Sequence, residues 1–273
     1  MKLTVLTDNN TIIDRYLLGE PALSFYLEDD GQQLLFDVGY SDVLIKNAQT
    51  LGIDLAQIPR IVISHGHDDH TRGLQALHRQ GLLVSKTVIA HPDAFFPKFA
   101  EEQGHLLEIG SPYSADALQQ ICTLQVSAQP LQLTEHVYFL GQIPRQIPFE
   151  PAAPNGLAKR NGVLQPDFLW DDTALVYCGA DGLSIITGCS HSGICNIAAY
   201  TQQLFQQQPI VRIIGGLHLL KQDERLTQTA AYLAALQLKE FHPCHCVSLA
   251  AKLALSQWLP LSEVGSGHVL EWS

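Results

Sequence analysis

The stretch that most constrains this chain is Ser64-His65-Gly66-His67-Asp68-Asp69-His70, which follows the apolar run Ile61-Val62-Ile63. Three imidazoles and two carboxylates fall between His65 and His70. A strand over 58–63 would release the chain into a tight turn, and Gly66 lets the backbone fold closely enough for several of these side chains to converge. Neutral imidazole nitrogen and carboxylate oxygen are the ligands that zinc, manganese and ferrous iron accept. A pair of such ions, about 3.5 to 4 Å apart, would use most of this set. The bland alternative, a solvated polar turn with one or two surface histidines, leaves the crowding of ligand types at a strand end unexplained.

With 273 residues and 46% apolar content the chain can bury a large core, and a single domain over 1–273 is expected. A formal charge of −11 disfavours nonspecific binding to nucleic acid or to an anionic membrane. The start, Met1-Lys2-Leu3-Thr4-Val5-Leu6-Thr7-Asp8, reads as a first strand rather than a charged leader. No apolar run approaches the ~20 residues that cross a bilayer. Cys122, Cys178, Cys189, Cys195, Cys244 and Cys246 are scattered, unlike a secreted disulfide framework, and Cys244-x-Cys246 is too tight for a zinc knuckle. The expectation is a soluble, cytoplasmic protein acting on a small molecule, with no nucleic-acid or membrane partner and with homo-oligomerisation left open.

Strands are predicted over 3–6, 22–27 and 34–38, the last two joined at Asp29-Asp30-Gly31. A helix over 41–51 stops at Gly52, and another begins at 71–77 with its N-terminal dipole toward the histidine turn. Further strands are expected over 84–90, 175–178, 183–187 and 210–214, with a last short one ending in 241–248. Helices are expected over 197–206 and 226–238. Two more strand ends deliver a histidine after small residues, Gly188-Cys189-Ser190-His191 and Gly215-Gly216-Leu217-His218. Three strand ends bringing imidazoles to one sheet edge is what a pocket there requires. His91 also follows a strand, but Pro92 and Asp93 make a plain loop start equally natural. His78, His105, His136 and His268 have no ligand-like company, and His242 is unsupported. Between 141 and 172, Pro144, Pro148, Pro151, Pro154 and Pro166 break any regular element, so this reads as a long lid loop. Its Arg145, Lys159 and Arg160 are candidates to hold an anionic group.

His65-x-His67-x-Asp69-His70 resembles the signature of the metallo-β-lactamase fold superfamily, whose members are mostly dinuclear metal hydrolases. Phe36-Asp37-Val38-Gly39, Ile143-Pro144-Arg145, Thr187-Gly188-Cys189-Ser190-His191-Ser192-Gly193, Gly215-Gly216-Leu217-His218 and His245-Cys246 are similar to segments of one branch. That branch comprises metal-dependent hydrolases and includes dihydropterin ribofuranosyl-aminobenzene phosphate synthases. The resemblance covers nearly the whole length and implies an α/β fold, a four-layer αββα sandwich. It also implies two divalent metal ions, zinc first, with manganese or iron as alternatives. His65, His67 and His191 would surround one ion, and Asp69, His70 and His218 the other, with Asp37 supporting them from behind. Arg145 and Cys246 are candidates for binding substrate. His245 would bond substrate, donate a proton or replace a ligand. The chain departs from the pattern in three places. Cys189 stands near the position of a metal-bridging Asp, the Asp171-Asp172 pair replaces a histidine, and Val247-Ser248 stands where the branch has Thr-Gly.

The function expected is hydrolysis by a hydroxide activated between two metals, on an ester, lactone, amide or phosphoester of a small anionic substrate. Asp69 and His245 are the catalytic candidates, His245 as general acid. The rivals are a synthase condensing a pterin with a ribosyl phosphate, a two-iron oxidoreductase, and a noncatalytic binding or sensor protein. The oxidoreductase branch favours a carboxylate at the position of His67, and no appended flavin domain is expected here.

Overall fold

The computed structural model describes residues 1–150 and 152–273. Among these residues the chain begins with β1 (Lys2–Thr7), β2 (Ser24–Asp29), β3 (Gln32–Phe36), α1 (Val43–Thr50) and β4 (Arg60–Val62). The histidine turn then leads into α2 (Asp68–Thr71), α3 (Gly73–Arg79) and β5 (Thr87–Ala90). Next come β6 (Lys98–Glu102), β7 (His105–Glu108), α4 (Ala115–Gln119), β8 (Thr123–Val126), β9 (Leu131–Gln132) and β10 (Val137–Phe139). After β11 (Leu157–Arg160) and β12 (Val163–Pro166) the second half runs through β13 (Ala174–Gly179), β14 (Gly182–Thr187), α5 (Ile194–Leu204) and β15 (Ile210–Gly215). It closes with α6 (Glu224–Ala235), β16 (Glu240–Pro243), α7 (Leu249–Leu255) and β17 (Val269–Glu271).

One sheet has the order β17-β1-β2-β3-β4-β5-β8, and the other β16-β15-β14-β13-β10-β9. Both are apolar on two faces, because alternate side chains of a strand point to opposite sides. In β13, Leu175 and Tyr177 join the core between the sheets, whereas Ala174 and Val176 pack outward under α5, α6 and α7. In β4, Val62 points to the inter-sheet core, while Ile61 packs under α1 and α3. Three apolar layers therefore separate four structural layers, the αββα arrangement expected.

Register fixes where the site lies. Strands β3, β4 and β5 are parallel, with Phe36 opposite Val62 and Val62 opposite Ile89. In the other sheet β14, β15 and β16 are parallel, with Thr187 opposite Gly215 and Gly215 opposite Pro243. The loops that leave these carboxyl ends start at the same level, where open α/β sheets form their crevices.

The 141–172 segment differs from the structureless loop expected. Its Pro151 lies outside the described residues, but β11 and β12 form a hairpin turned at Asn161 and Gly162, which have φ of 51° and 81°. Asn-Gly with both φ positive is the preferred chemistry for a two-residue hairpin turn, so the signal was present in the sequence. This hairpin pairs with β6 and so extends the β6–β7 hairpin into a small sheet of its own, β12-β11-β6-β7. Among the described residues no helix is long and apolar enough to cross a membrane.

Candidate metal centre

The 65–70 turn is held from both sides. Asp37, just beyond β3, adopts φ 59°, a conformation uncommon for a residue with a side chain. Its Oδ1 accepts from the Ser64 N–H at 2.7 Å, and its Oδ2 accepts from Ser64 Oγ at 2.7 Å and from His70 Nδ1 at 2.6 Å. On the far side Asp171 Oδ2 accepts from the Gly66 N–H at 2.7 Å. The buried ammonium of Lys98 bonds Asp171 Oδ1 at 3.0 Å and Asp167 Oδ2 at 2.7 Å. Gly66 is required by close approach, since a Cβ there would sit 1.9 Å from the Ala94 carbonyl oxygen.

The opposing sheet supplies three more imidazoles on three strand-end loops. Each loop contains a non-glycine residue in the left-handed region: Ser190 (φ 59°), His218 (φ 47°) and His245 (φ 52°). Such conformations cost of order 1–3 kcal/mol each and gather at functional sites. Gly188 lets the first loop press against the histidine turn, because a Cβ at that position would lie 2.0 Å from Ser64 Oγ. His245 is anchored by its N–H to Asp8 Oδ1 and by Nδ1 to Asn9 Oδ1, both at 2.9 Å. His191 Nδ1 lies 3.1 Å from Asn155 Nδ2.

Following the protons shows what the centre is built for. Ser64 Oγ donates to Asp37, so it accepts from His65 Nδ1 at 3.0 Å. His70 Nδ1 donates to a carboxylate and His245 Nδ1 to an amide oxygen. With Nδ1 protonated, the Nε2 atom of each neutral ring is a lone pair. Yet His70 Nε2 and His245 Nε2 face each other at 3.1 Å, and His65 Nε2 faces His67 Nδ1 at 3.1 Å. Asp69 Oδ2 stands 3.2 Å from His245 Nε2 and 3.6 Å from His70 Nε2. Facing nitrogens at such separations need a proton or a metal ion between them, and the spacing suits ligands bound about 2.0 to 2.3 Å from one ion. His67 Nε2 and His191 Nε2 are buried with no hydrogen-bond partner.

The electrostatics agree. Burial, reinforced by the neighbouring imidazoles, holds His65 and His191 well below the ordinary histidine range, and burial brings His67 down to about 4. These rings are therefore neutral, the form that coordinates metal. Burial also opposes a charge on His70, but the Asp69 and Asp37 carboxylates outweigh it and push His70 up to about 9. Burial works against the Asp69 carboxylate too, and the nearby His70 and His245 imidazoles hold it well below the usual range. That end of the site attracts positive charge. The donors fall into three groups, Asp69 with His70, Cys189 and His245; His65 with Cys189 and His191; and His65 with His67 and Asp69. All fit divalent metal ions.

The geometry groups the histidines differently from the sequence reading. His245 stands against Asp69 and His70, where His218 was expected. The His218 ring lies 4.4 Å from that of His191, on the rim, half-buried, and the backbone N–H of His218 donates to Cys246 Sγ at 3.2 Å. Arg145, expected on the substrate, bonds the Phe168 and Leu169 carbonyls and lies over the Trp170 ring, so it holds the approach to Asp171. Arg160 is paired with Asp93 and packs on Phe96, while Lys159 is exposed. Asp172 is also committed, accepting from the N–H and Oγ of Ser192. His91 caps the turn at Asp93 and joins none of the donor groups. Sequence reading missed Asp8, Asn9, Lys98 and Asn155. Only the end of β1, where Asp8 and Asn9 lie, carried any signal, polar residues directly after an apolar strand.

A cavity of about 330 Å³ opens over the cluster, lined by Asn9, Asn155, His191, His218, His245 and Cys246. A larger one of about 680 Å³ shares Asn9, His245 and Cys246 with it and extends past Leu249, Leu253 and Lys252.

The family model of the Metallo-beta-lactamase superfamily matches residues 18–195. A protein of Methanocaldococcus jannaschii named 7,8-dihydropterin-6-methyl-4-(beta-D-ribofuranosyl)-aminobenzene-5'-phosphate synthase is 30% identical over 244 residues, 85% of this chain and 82% of its own. An uncharacterized protein of the same organism is 29% identical over 266 residues, 97% of this chain and 96% of its own. The crystal structure of Tm1679, described as a metal-dependent hydrolase of the beta-lactamase superfamily, is similar with a TM-score of 0.84 and 29% identity. The likeness covers 99% of this chain and 98% of that one.

Proposed function

Because the chain belongs to the metallo-beta-lactamase superfamily, we propose that it is a metal-dependent hydrolase opening an ester, lactone or phosphoester of a small anionic substrate, with two divalent cations, zinc first. The observation that carries this reading is the convergence of buried imidazole and carboxylate donors, above all His70 Nε2 facing His245 Nε2 at 3.1 Å beside Asp69. Bound cations would supply Lewis acidity and activate water near neutral pH. His65, His67 and His191 would hold one, and Asp69, His70 and His245 the other. Asp37, Ser64 and Asn9 keep the Nδ1 protons of the ligand rings away from the centre, which fixes the tautomers that bind. His245 has both nitrogens engaged, so the proton for the leaving group falls to His218 on the rim. The larger cavity receives the body of the substrate, and Lys252 is the cation lining it that would meet an anionic group. Arg145 keeps the 167–170 loop in place instead.

The 30% identity to a protein named as a synthase favours a second reading, condensation of a pterin with a ribosyl phosphate. Turnover of an ester and phosphoester panel in ¹⁸O-water separates the two. Label in the product, abolished by chelator and restored by zinc, supports hydrolysis. Pyrophosphate release during condensation, with no labelled product, overturns it.

A further inference from the structure

We propose that Cys189 supplies a thiolate shared by the two metal positions, so that the centre is sulfur-bridged; this rests on the metal-dependent reading above. Cys189 is the one residue common to the group with His65 and His191 and the group with Asp69, His70 and His245. It is buried at 3% exposure, and its Sγ lies 3.2 Å from His70 Nε2. A buried free cysteine often serves as a small apolar filler. Here the sulfur belongs to two donor sets whose ligand atoms lie within 4.8 Å of one another, and His191, whose Nε2 is buried and unpartnered, belongs to one of them.

Elimination among the anionic side chains leads to the same residue. Two dications surrounded by neutral imidazoles need negative ligands, and Asp69 supplies one charge. Asp37 is occupied by Ser64 and His70 Nδ1, and Asp171 by Lys98 and the Gly66 N–H, while Asp172 is bonded to Ser192 through Oδ2 and its buried, unpartnered Oδ1 joins no donor group. None of these three carboxylates enters a donor group, whereas Cys189 enters two. Its placement follows from Gly188, which lets the loop after β14 close onto Ser64. Metal binding would release the thiol proton to solvent, since a coordinating thiol is deprotonated outright. A thiolate at the shared position selects zinc, cobalt or iron over manganese and magnesium, whose preferred ligands are oxygen.

The test is cobalt(II) loading of the full chain, with metal content measured alongside the near-ultraviolet spectrum. Wild type should bind two cobalt ions and show a thiolate-to-cobalt charge-transfer band. That band should vanish in Cys189→Ser and persist in Cys246→Ser. Cys189→Asp guards against misfolding of the serine variant. It should retain two metals without the band and lose about tenfold of the preference for zinc over manganese. Two bound cobalt ions without the band, or a band lost in Cys246→Ser but kept in Cys189→Ser, overturns the thiolate bridge and leaves the hydrolase reading standing. Failure of wild type to bind any cobalt overturns both.

Discussion

The 65–70 turn delivers four donors from one short segment, whereas His191, His218 and His245 come from three loops spaced 27 residues apart. The first set is gripped by buried charge: Asp37 holds Ser64 and His70, and the Lys98–Asp171 pair holds Gly66. In the second set each gripped ring meets a neutral amide, Asn9 on His245 and Asn155 on His191, and the Asp8 carboxylate takes only the His245 backbone N–H. A contiguous turn carries strong local constraint and needs charged walls to stop its ligands from relaxing into solvent. Loops at the ends of three parallel strands inherit their positions from the sheet, so weaker outer contacts suffice.

If that contrast holds, the variants should rank accordingly. Lys98→Met leaves Asp167 and Asp171 buried without their cation, so urea denaturation should show a loss of about 3–5 kcal/mol; a loss below about 1 kcal/mol would mean that the charged wall is dispensable. Asp37→Ala removes the acceptor of three hydrogen bonds and frees the His70 tautomer, and zinc affinity measured by chelator competition should fall about 100-fold. Asn9→Ala removes one bond to one ligand, and the same competition should read a fall of about tenfold. Equal losses for Asp37→Ala and Asn9→Ala would erase the distinction between the two halves. Asn155 is exposed outside its bond to His191, so Asn155→Ala should weaken zinc by less than about tenfold. A larger loss would show that the segment leading into the β11–β12 hairpin shapes the centre as strongly as Asp37 does.

Much of this was readable in advance, and the failures have physical causes. The histidine turn, Asp37 and the Gly188 and Gly215 strand ends were legible because an apolar strand, a small residue and a polar side chain in succession describe a strand end locally. The pairing of His245 with Asp69 and His70 was not, although the 27-residue recurrence of His191, His218 and His245 was a clue to three equivalent strand-loop units. Asn161-Gly162 is a hairpin signal set among prolines that locally favour a loop.

Residue order alone determined the ligand chemistry, the strands that present it and the alternation that buries both faces of each sheet. The tertiary structure decided which imidazole faces which, that Lys98 is buried between two carboxylates, and that Arg145 holds a loop. These depend on the register between β14, β15 and β16 and on the approach of one sheet's loops to the other's. Such contacts join residues from 23 to 175 positions apart, and no local pattern encodes their distance.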